Sequence, residues 1–134
     1  MSTPRPICLV DDSDDYLVLL QALLNRQFPA YPILLFRSGQ ALLDQLPQLN
    51  KKPSLILLDR HMPGLDGHQT LLIIRAQSTY LRTPIVMMSA DASDQEIQSC
   101  YGAGANSFLK KSYAGLPIPD AISLICRYWL ELNQ

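Results

Sequence analysis

The stretch LILLDRHMPGLDG, Leu55 to Gly67, decides how the chain is read. Four apolar residues, the length of a buried strand, run directly into Asp59, and the chain then turns through Met62-Pro63-Gly64. A carboxylate placed where core meets surface costs free energy unless a partner compensates it. Its partners are to be sought at the ends of other segments of the same kind.

Such segments recur. ICLV (7–10), ILLF (33–36), LILL (55–58), IVMM (85–88) and SFL (107–109) each have the length of a strand buried on both faces. Helical periodicity fills 14–28, 38–48, 66–77 and 94–103, and predicts a last helix over 118–132. In the first of these, Leu17, Leu20 and Leu24 share one face, and Ser13 is placed to cap the start. Five alternations of strand and helix predict a parallel sheet covered on both sides, a single α/β domain. KKPS (51–54), RTP (82–84) and GLPIP (115–119) read as loops within it.

Composition narrows the classes of function. The 134 residues are close to the usual size of one domain, and 48% apolar with 17% charged residues is a globular balance. A net charge of −1 gives no bulk drive toward nucleic acid or an anionic membrane, so neither direct DNA binding nor membrane association is expected. Cys8, Cys100 and Cys126 are odd in number, far apart and set in apolar patterns, which favours reduced core thiols over disulfides or a zinc site. No apolar run reaches membrane-spanning length and MSTPRP lacks a signal-peptide pattern, so the expected location is the cytoplasm.

In doubly wound sheets, ligands bind beyond the carboxyl ends of the strands, beside the point where strand order reverses. After ICLV come Asp11 and Asp12; after LILL, Asp59; after IVMM, Ser89; after SFL, Lys110 and Lys111. ILLF also ends in polar residues, Arg37 and Ser38, so the weight lies on the whole set and not on any one position. Three carboxylates at one edge repel unless a hard cation holds them, and Mg²⁺, which keeps several waters, suits a few protein oxygens. Asp59 is then a nucleophile able to form an acyl phosphate. Metal and lysine offset the charge of the transfer, and the serine hydroxyl donates to the arriving phosphoryl group. No Gly-rich phosphate loop, CxxC, HExxH or Ser-His-Asp signature competes with this reading.

VDD (10–12), LLDRHMPGLDG (57–67), MMSA (87–90) and SFLKKS (107–112) resemble, in order and along essentially the whole chain, the CheY-like receiver domain of two-component response regulators. The resemblance implies a flavodoxin-like doubly wound sheet of five parallel strands in order 2-1-3-4-5 with five helices. It implies one receiver domain over 1–134 without an output domain, a signalling phosphoacceptor whose only chemistry is its own phosphoryl transfer and autodephosphorylation. Asp59 would accept the phosphoryl group from a sensor histidine kinase or phosphotransfer protein. Asp12, Asp59 and the backbone carbonyl of His61 would hold Mg²⁺, with Asp11 reaching it through water. Ser89 matches the switch hydroxyl, Phe108 the switch aromatic and Lys111 the family lysine. Lys111 lies three residues after the aromatic, the family's spacing, and strand alternation sends Lys110 to the opposite face.

Two positions depart from that pattern. Ser112 stands where the family usually has proline, often after a cis peptide bond. A non-proline cis bond costs about 3 kcal/mol, so a trans and differently shaped loop is expected. Arg60-His61 follows the acceptor where small or apolar residues are commoner. In the family, the side chains at the positions of His61 and Asp91 flank the path of attacking water, and here the two are expected to pair across the mouth and tune phosphate lifetime. Asp14 and Asp15 suit a first helical turn, Asp66-Gly67 a turn and helix start, and His68 a solvated helix face.

The last helix carries more apolar surface than a core requires. Asp120, Ser123, Arg127 and Glu131 cluster on about one third of its circumference. Ile118, Ile122, Ile125 and Trp129 form one apolar stripe, and Ala121, Leu124 and Tyr128 a second beside it. The second is left for a neighbouring segment of the chain or for a protein interface. RYWLELNQ, with KS after the aromatic strand, also looks like a subgroup of stand-alone receivers that includes partners of phytochrome-type kinases and dimerises through the face containing the last helix. Leu124, Tyr128 and Trp129 are thus the candidate interface. Two other classes stand beside this one. A small aspartyl-phosphate hydrolase would have DxD where His61 stands and a cap segment for its substrate. A pseudo-receiver would bind partners without phosphorylation, and would have no use for the complete acidic, hydroxyl and lysine set.

Overall fold

The apolar runs form five parallel strands in the computed structural model of the chain, which describes residues 3–111 and 118–133. β1 is Ile7–Val10, β2 Ile33–Phe36, β3 Leu55–Asp59, β4 Ile85–Ser89 and β5 Ser107–Lys110. The helices are α1 (Asp14–Gln27), α2 (Gly39–Gln45), α3 (Gly67–Arg75), α4 (Asp94–Gly102) and α5 (Ile118–Arg127). Strand order is β2-β1-β3-β4-β5, so the direction of winding reverses between β1 and β3. The expected five-stranded, doubly wound architecture is the one observed.

Alternation along each strand divides the core in two. Cys8, Val10, Ile56, Leu58, Ile85 and Met87 face α2, α3 and α4, where Leu42, Leu71, Ile74 and Cys100 close the layer. Ile7, Leu9, Leu55, Leu57, Val86 and Met88 face α1 and α5, meeting Leu17, Leu20, Leu24, Ile122 and Cys126. All three cysteines are unpaired and buried, and burial pushes the Cys8 and Cys126 thiols up to about 12. That shift keeps them protonated and poor as nucleophiles or metal ligands.

Local chemistry sets the helix starts. The Ser13 hydroxyl accepts from Tyr16 N at 3.2 Å, and Asp66 and Gln69 form a reciprocal capping box at α3. Two ends differ from the periodicity. The helix expected over 38–48 ends at Gln45 because Pro47 cannot continue the hydrogen-bond ladder, and Leu46–Gln48 forms a 3-10 turn instead. The helix expected over 118–132 is α-helical to Arg127, and Tyr128–Leu132 continues as one wider π turn.

Between β3 and α3 the chain reverses over a few residues, and two glycines permit it. Gly64 has φ +74°, the left-handed region that a side chain disfavours. A Cβ on Gly67 would stand 2.1 Å from the Asp59 carbonyl oxygen and 2.8 Å from Arg60 Cα, both backbone atoms that cannot rotate away. We expect Gly67→Ala to lower stability by about 1–3 kcal/mol in urea unfolding, as overpacking does. Gly102→Ala, where a Cβ meets nothing within 4 Å at the end of α4, is the neutral or slightly stabilising control.

Candidate functional site

The carboxyl edge of the sheet collects the polar residues because the backbone ladder runs past the apolar runs. Asp11 N donates to Phe36 O at 3.0 Å, Arg60 N to Met88 O at 2.7 Å and Lys111 N to Ser89 O at 2.9 Å. Asp59 and Ser89 are the last residues of their strands and Asp11 and Lys111 the first beyond theirs, so all four stand at one level. Asp11 and Asp59 are buried and Asp12 is exposed. Ligand oxygens of the three lie within 4.8 Å of one another.

Lys111 is the cation of this group. Its Nζ lies 2.6 Å from Asp11 Oδ2 and 3.2 Å from Asp59 Oδ1, and sits 4.7 Å from the centre of the Tyr16 ring. Lys110 lies one residue earlier and is exposed. Burial and the Asp11 charge push Asp59 up to about 6, against the opposing pull of Lys111 and of the His61 amide. Burial, then Asp11 and Asp59, also raise the Tyr16 phenol, whose oxygen is buried without a hydrogen-bond partner among the described residues. One ammonium among three carboxylates leaves an excess of negative charge, and Asp11 Oδ2 has no partner other than Lys111 among the described residues. A hard divalent cation fits this all-oxygen donor set.

Ser89 is fully buried, and its hydroxyl is engaged locally: it donates to the Asp91 carbonyl at 2.8 Å and accepts from Asp91 N at 3.2 Å. Phe108 is half-buried against the α2–α4 side of the core. His61 reaches Asp91, but through the backbone carbonyl, with Nε2 at 3.1 Å. The carboxylate that His61 faces is that of Glu96, 3.3 Å away. Glu96 and the Arg60 guanidinium, which pairs with Asp66 at 3.1 Å and Glu96 at 3.8 Å, were not anticipated at the site. The Ser93-x-x-Glu96 capping pattern was visible in the sequence, but it signals only a helix start. Ser112 lies outside the described residues.

On α5 and its π extension, Leu124 is 71%, Tyr128 47% and Leu132 64% exposed. Trp129, the third residue of the candidate interface, is half-buried against the α1–α5 core and donates through Nε1 to Ser107 Oγ at 3.0 Å, which anchors the helix end. A cavity of about 660 Å³ lies at the opposite, amino end of the strands, beside Arg5, Ser54, Arg82, Pro84 and Asn106. It is remote from the carboxylates.

Comparison with known proteins agrees with this fold. Residues 7–123 match the family model of the response regulator receiver domain. The chain is 29% identical to a probable methanogenesis regulatory protein, FilR2, of Methanothrix harundinacea, over 98% of this chain and 87% of the relative. It is 28% identical to response regulator Rcp1 of Synechocystis, over 96% and 90%. The structure of Mn²⁺-bound Rcp1 superposes with a TM-score of 0.87 at 27% identity, covering 98% of each chain. That of the phosphorylated cyanobacterial phytochrome response regulator RcpA gives 0.88 at 26% identity, covering 97% and 96%.

The raised Asp59 pKa sets the direction of a pH effect in metal-free protein. The unfolded carboxylate loses its proton near 3.8 and the folded one near 6, so the folded state binds more protons between them. Stability therefore falls as pH rises from about 4 to about 6 and stays lower above. We expect Asp59→Asn to remove that fall and to raise metal-free stability at neutral pH by on the order of 2 kcal/mol in urea unfolding. Added Mg²⁺ is expected to offset the fall in the parent chain and to do little for the variant.

Proposed function

The chain belongs to the response regulator receiver domain family, and on that premise we propose that Asp59 is its phosphoacceptor. The observation that carries the assignment is the Lys111 ammonium set between Asp11 and Asp59 at the carboxyl edge of the sheet. In this reading a carboxylate oxygen of Asp59 attacks the phosphorus of a phosphohistidine on a sensor kinase or phosphotransfer protein. The P–O bond forms as the P–N bond breaks, and its electron pair stays on the imidazole nitrogen. Lys111 offsets charge on the phosphoryl oxygens as they approach. Asp12, Asp59 and the His61 backbone carbonyl would hold Mg²⁺, with Asp11 through water, and the bound ion supplies further positive charge against the same oxygens. Loss of phosphate is the reverse exchange with water: its oxygen bonds to phosphorus, the acyl P–O bond breaks, and the carboxylate returns.

Ser89 and Phe108 are the proposed switch. Once a phosphoryl group is present, the Ser89 hydroxyl gains a charged acceptor, and charge-assisted hydrogen bonds are stronger than the neutral one it now makes to the Asp91 carbonyl. Its departure biases Phe108 inward and repacks the surface near α4, β5 and α5. The exposed Leu124, Tyr128 and Leu132 then offer an apolar face for a second copy or a partner protein. The likeness to Mn²⁺-bound Rcp1 and phosphorylated RcpA supports a divalent metal and a phosphoryl group on this chain, and the link of RcpA to phytochromes supports a phytochrome-type kinase as phosphodonor. The cell compartment proposed is the cytoplasm; among the described residues no helix is long and apolar enough to cross a membrane.

Incubation with a small-molecule phosphodonor and Mg²⁺ is expected to place one acid-stable, base-labile phosphate on the chain. Label persisting at the parent level in Asp59→Asn would overturn the assignment. A chain that takes no label yet binds its partners would be a phosphorylation-independent module, and multiple turnover on a phosphomonoester would make it a hydrolase. Lys111→Ala is expected to slow labelling by roughly 100-fold, as loss of a charge-stabilising donor does. Leu124→Asp with Tyr128→Ala is expected to leave labelling intact while shifting sedimentation toward monomer, and an unchanged profile would remove this face as the dimer contact.

A further inference from the structure

Two side chains from different elements share one acceptor at the mouth of the site. The Asp91 carbonyl receives the Ser89 hydroxyl at 2.8 Å and faces His61 Nε2 at 3.1 Å. The same Nε2 lies 3.3 Å from Glu96 Oε2. With an acceptor on each of these contacts, His61 carries its hydrogen on Nε2. Glu96 does two jobs with its two oxygens. Oε1 accepts from Ser93 N at 3.3 Å and completes the cap of α4. Oε2 faces His61 and, at 3.8 Å, the Arg60 guanidinium, whose other arm pairs with the α3 cap Asp66 at 3.1 Å. The start of α4 is thus fastened to the two residues that directly follow Asp59. The segment between Ser89 and Ser93 is held at both ends, and the Asp91 carbonyl is pinned where it accepts from the Ser89 hydroxyl.

We propose that Glu96 is a positioning residue that holds the Ser89 hydroxyl in its resting place, by bracing His61 against the Asp91 carbonyl. The proposal rests on Asp59 being the phosphoacceptor only for its functional consequence; the bracing itself belongs to the unphosphorylated chain. A pinned acceptor keeps Ser89 where it is, and a loosened one lets the hydroxyl turn toward a group on Asp59. Glu96→Gln separates the two jobs of the side chain. Glutamine serves the capping box as well as glutamate does, but it has no charge with which to hold Arg60 and His61. The helix survives and the brace is lost.

In metal- and phosphate-free protein, Glu96→Gln is expected to speed hydrogen exchange at the Asp91 amide roughly three- to tenfold, the effect of weakening one hydrogen bond, because that amide donates to the Ser89 hydroxyl. The melting temperature should stay within about 2 °C of the parent, since Arg60 keeps its closer partner Asp66 at 3.1 Å and the contact to Glu96, at 3.8 Å, is the looser one. With a small-molecule phosphodonor and Mg²⁺, labelling of Glu96→Gln should rise by a similar factor, and the rise should vanish when Ser89→Ala is added. Unchanged Asp91 exchange overturns the brace. A labelling change of equal size with and without Ser89 overturns its action through that hydroxyl. If the parent chain takes no label at all, the phosphoacceptor assignment fails, and the exchange measurement still decides the brace.

Discussion

Asp11 and Asp59 are buried side by side at the edge of the sheet, and one ammonium, Lys111, lies against both. Like charges in a poorly hydrated site are costly, and the cost scales inversely with the local dielectric. Almost everything distinctive about the molecule serves to hold this arrangement. The strands deliver the acids from β1 and β3, at the reversal of winding, and the lysine from beyond β5, two strands away. Removing the lysine would leave two buried carboxylates uncompensated, which is far more expensive than losing a surface pair. Arg37 with Asp14 is the contrast: both side chains are 65% exposed, and water already satisfies each of them.

In the proposed function the same unbalanced charge is what would make the site reactive. A carboxylate held well above its ordinary pKa by burial and by a like-charged neighbour is short of favourable partners, and positive charge brought to it is welcome. There a hard cation would supply that charge, and a phosphoryl group would add oxygens for Lys111 and Ser89 to meet. The layer beneath is rigid, with Leu55 to Leu58 and Ile85 to Met88 buried on both faces. The polar loops above it are free to respond. Two ties restrain them: the local ring of Ser89 with Asp91, and the bridge from Arg60 and His61 to Glu96.

How far the site was legible from residues alone varied with the range of the interaction. Lys111 was separable from Lys110 because alternation along a strand is strict, and the structure sets Lys111 against both acids. Asp66 was legible as a helix start because its partner Gln69 is three residues away. Glu96 was not, because its second oxygen meets residues more than thirty positions earlier, and nothing in a capping pattern points there. His61 and Asp91 were legible as neighbours. That the contact uses a backbone carbonyl depends on the path of the loop, which side-chain types do not encode. Trp129 stood on the covered stripe by periodicity and was named for the interface by the resemblance of RYWLELNQ to a dimerising subgroup; its bond to Ser107 comes from packing against β5.

By itself the sequence determined the strands, the period of the helices, the order of the polar residues at the strand ends and the family. These follow from short-range rules: how far apolar runs extend, where a proline stops a ladder, where a hydroxyl or carboxylate caps a turn. Only the tertiary structure decided which charges touch. It brought Lys111 to Asp11 across a hundred residues, turned Ser89 toward Asp91, set Glu96 against His61 and left Leu124, Tyr128 and Leu132 uncovered. The reason is geometric: a contact across strands depends on the register of the sheet and on how the loops close over it, and both are settled only when the two layers of the core pack together.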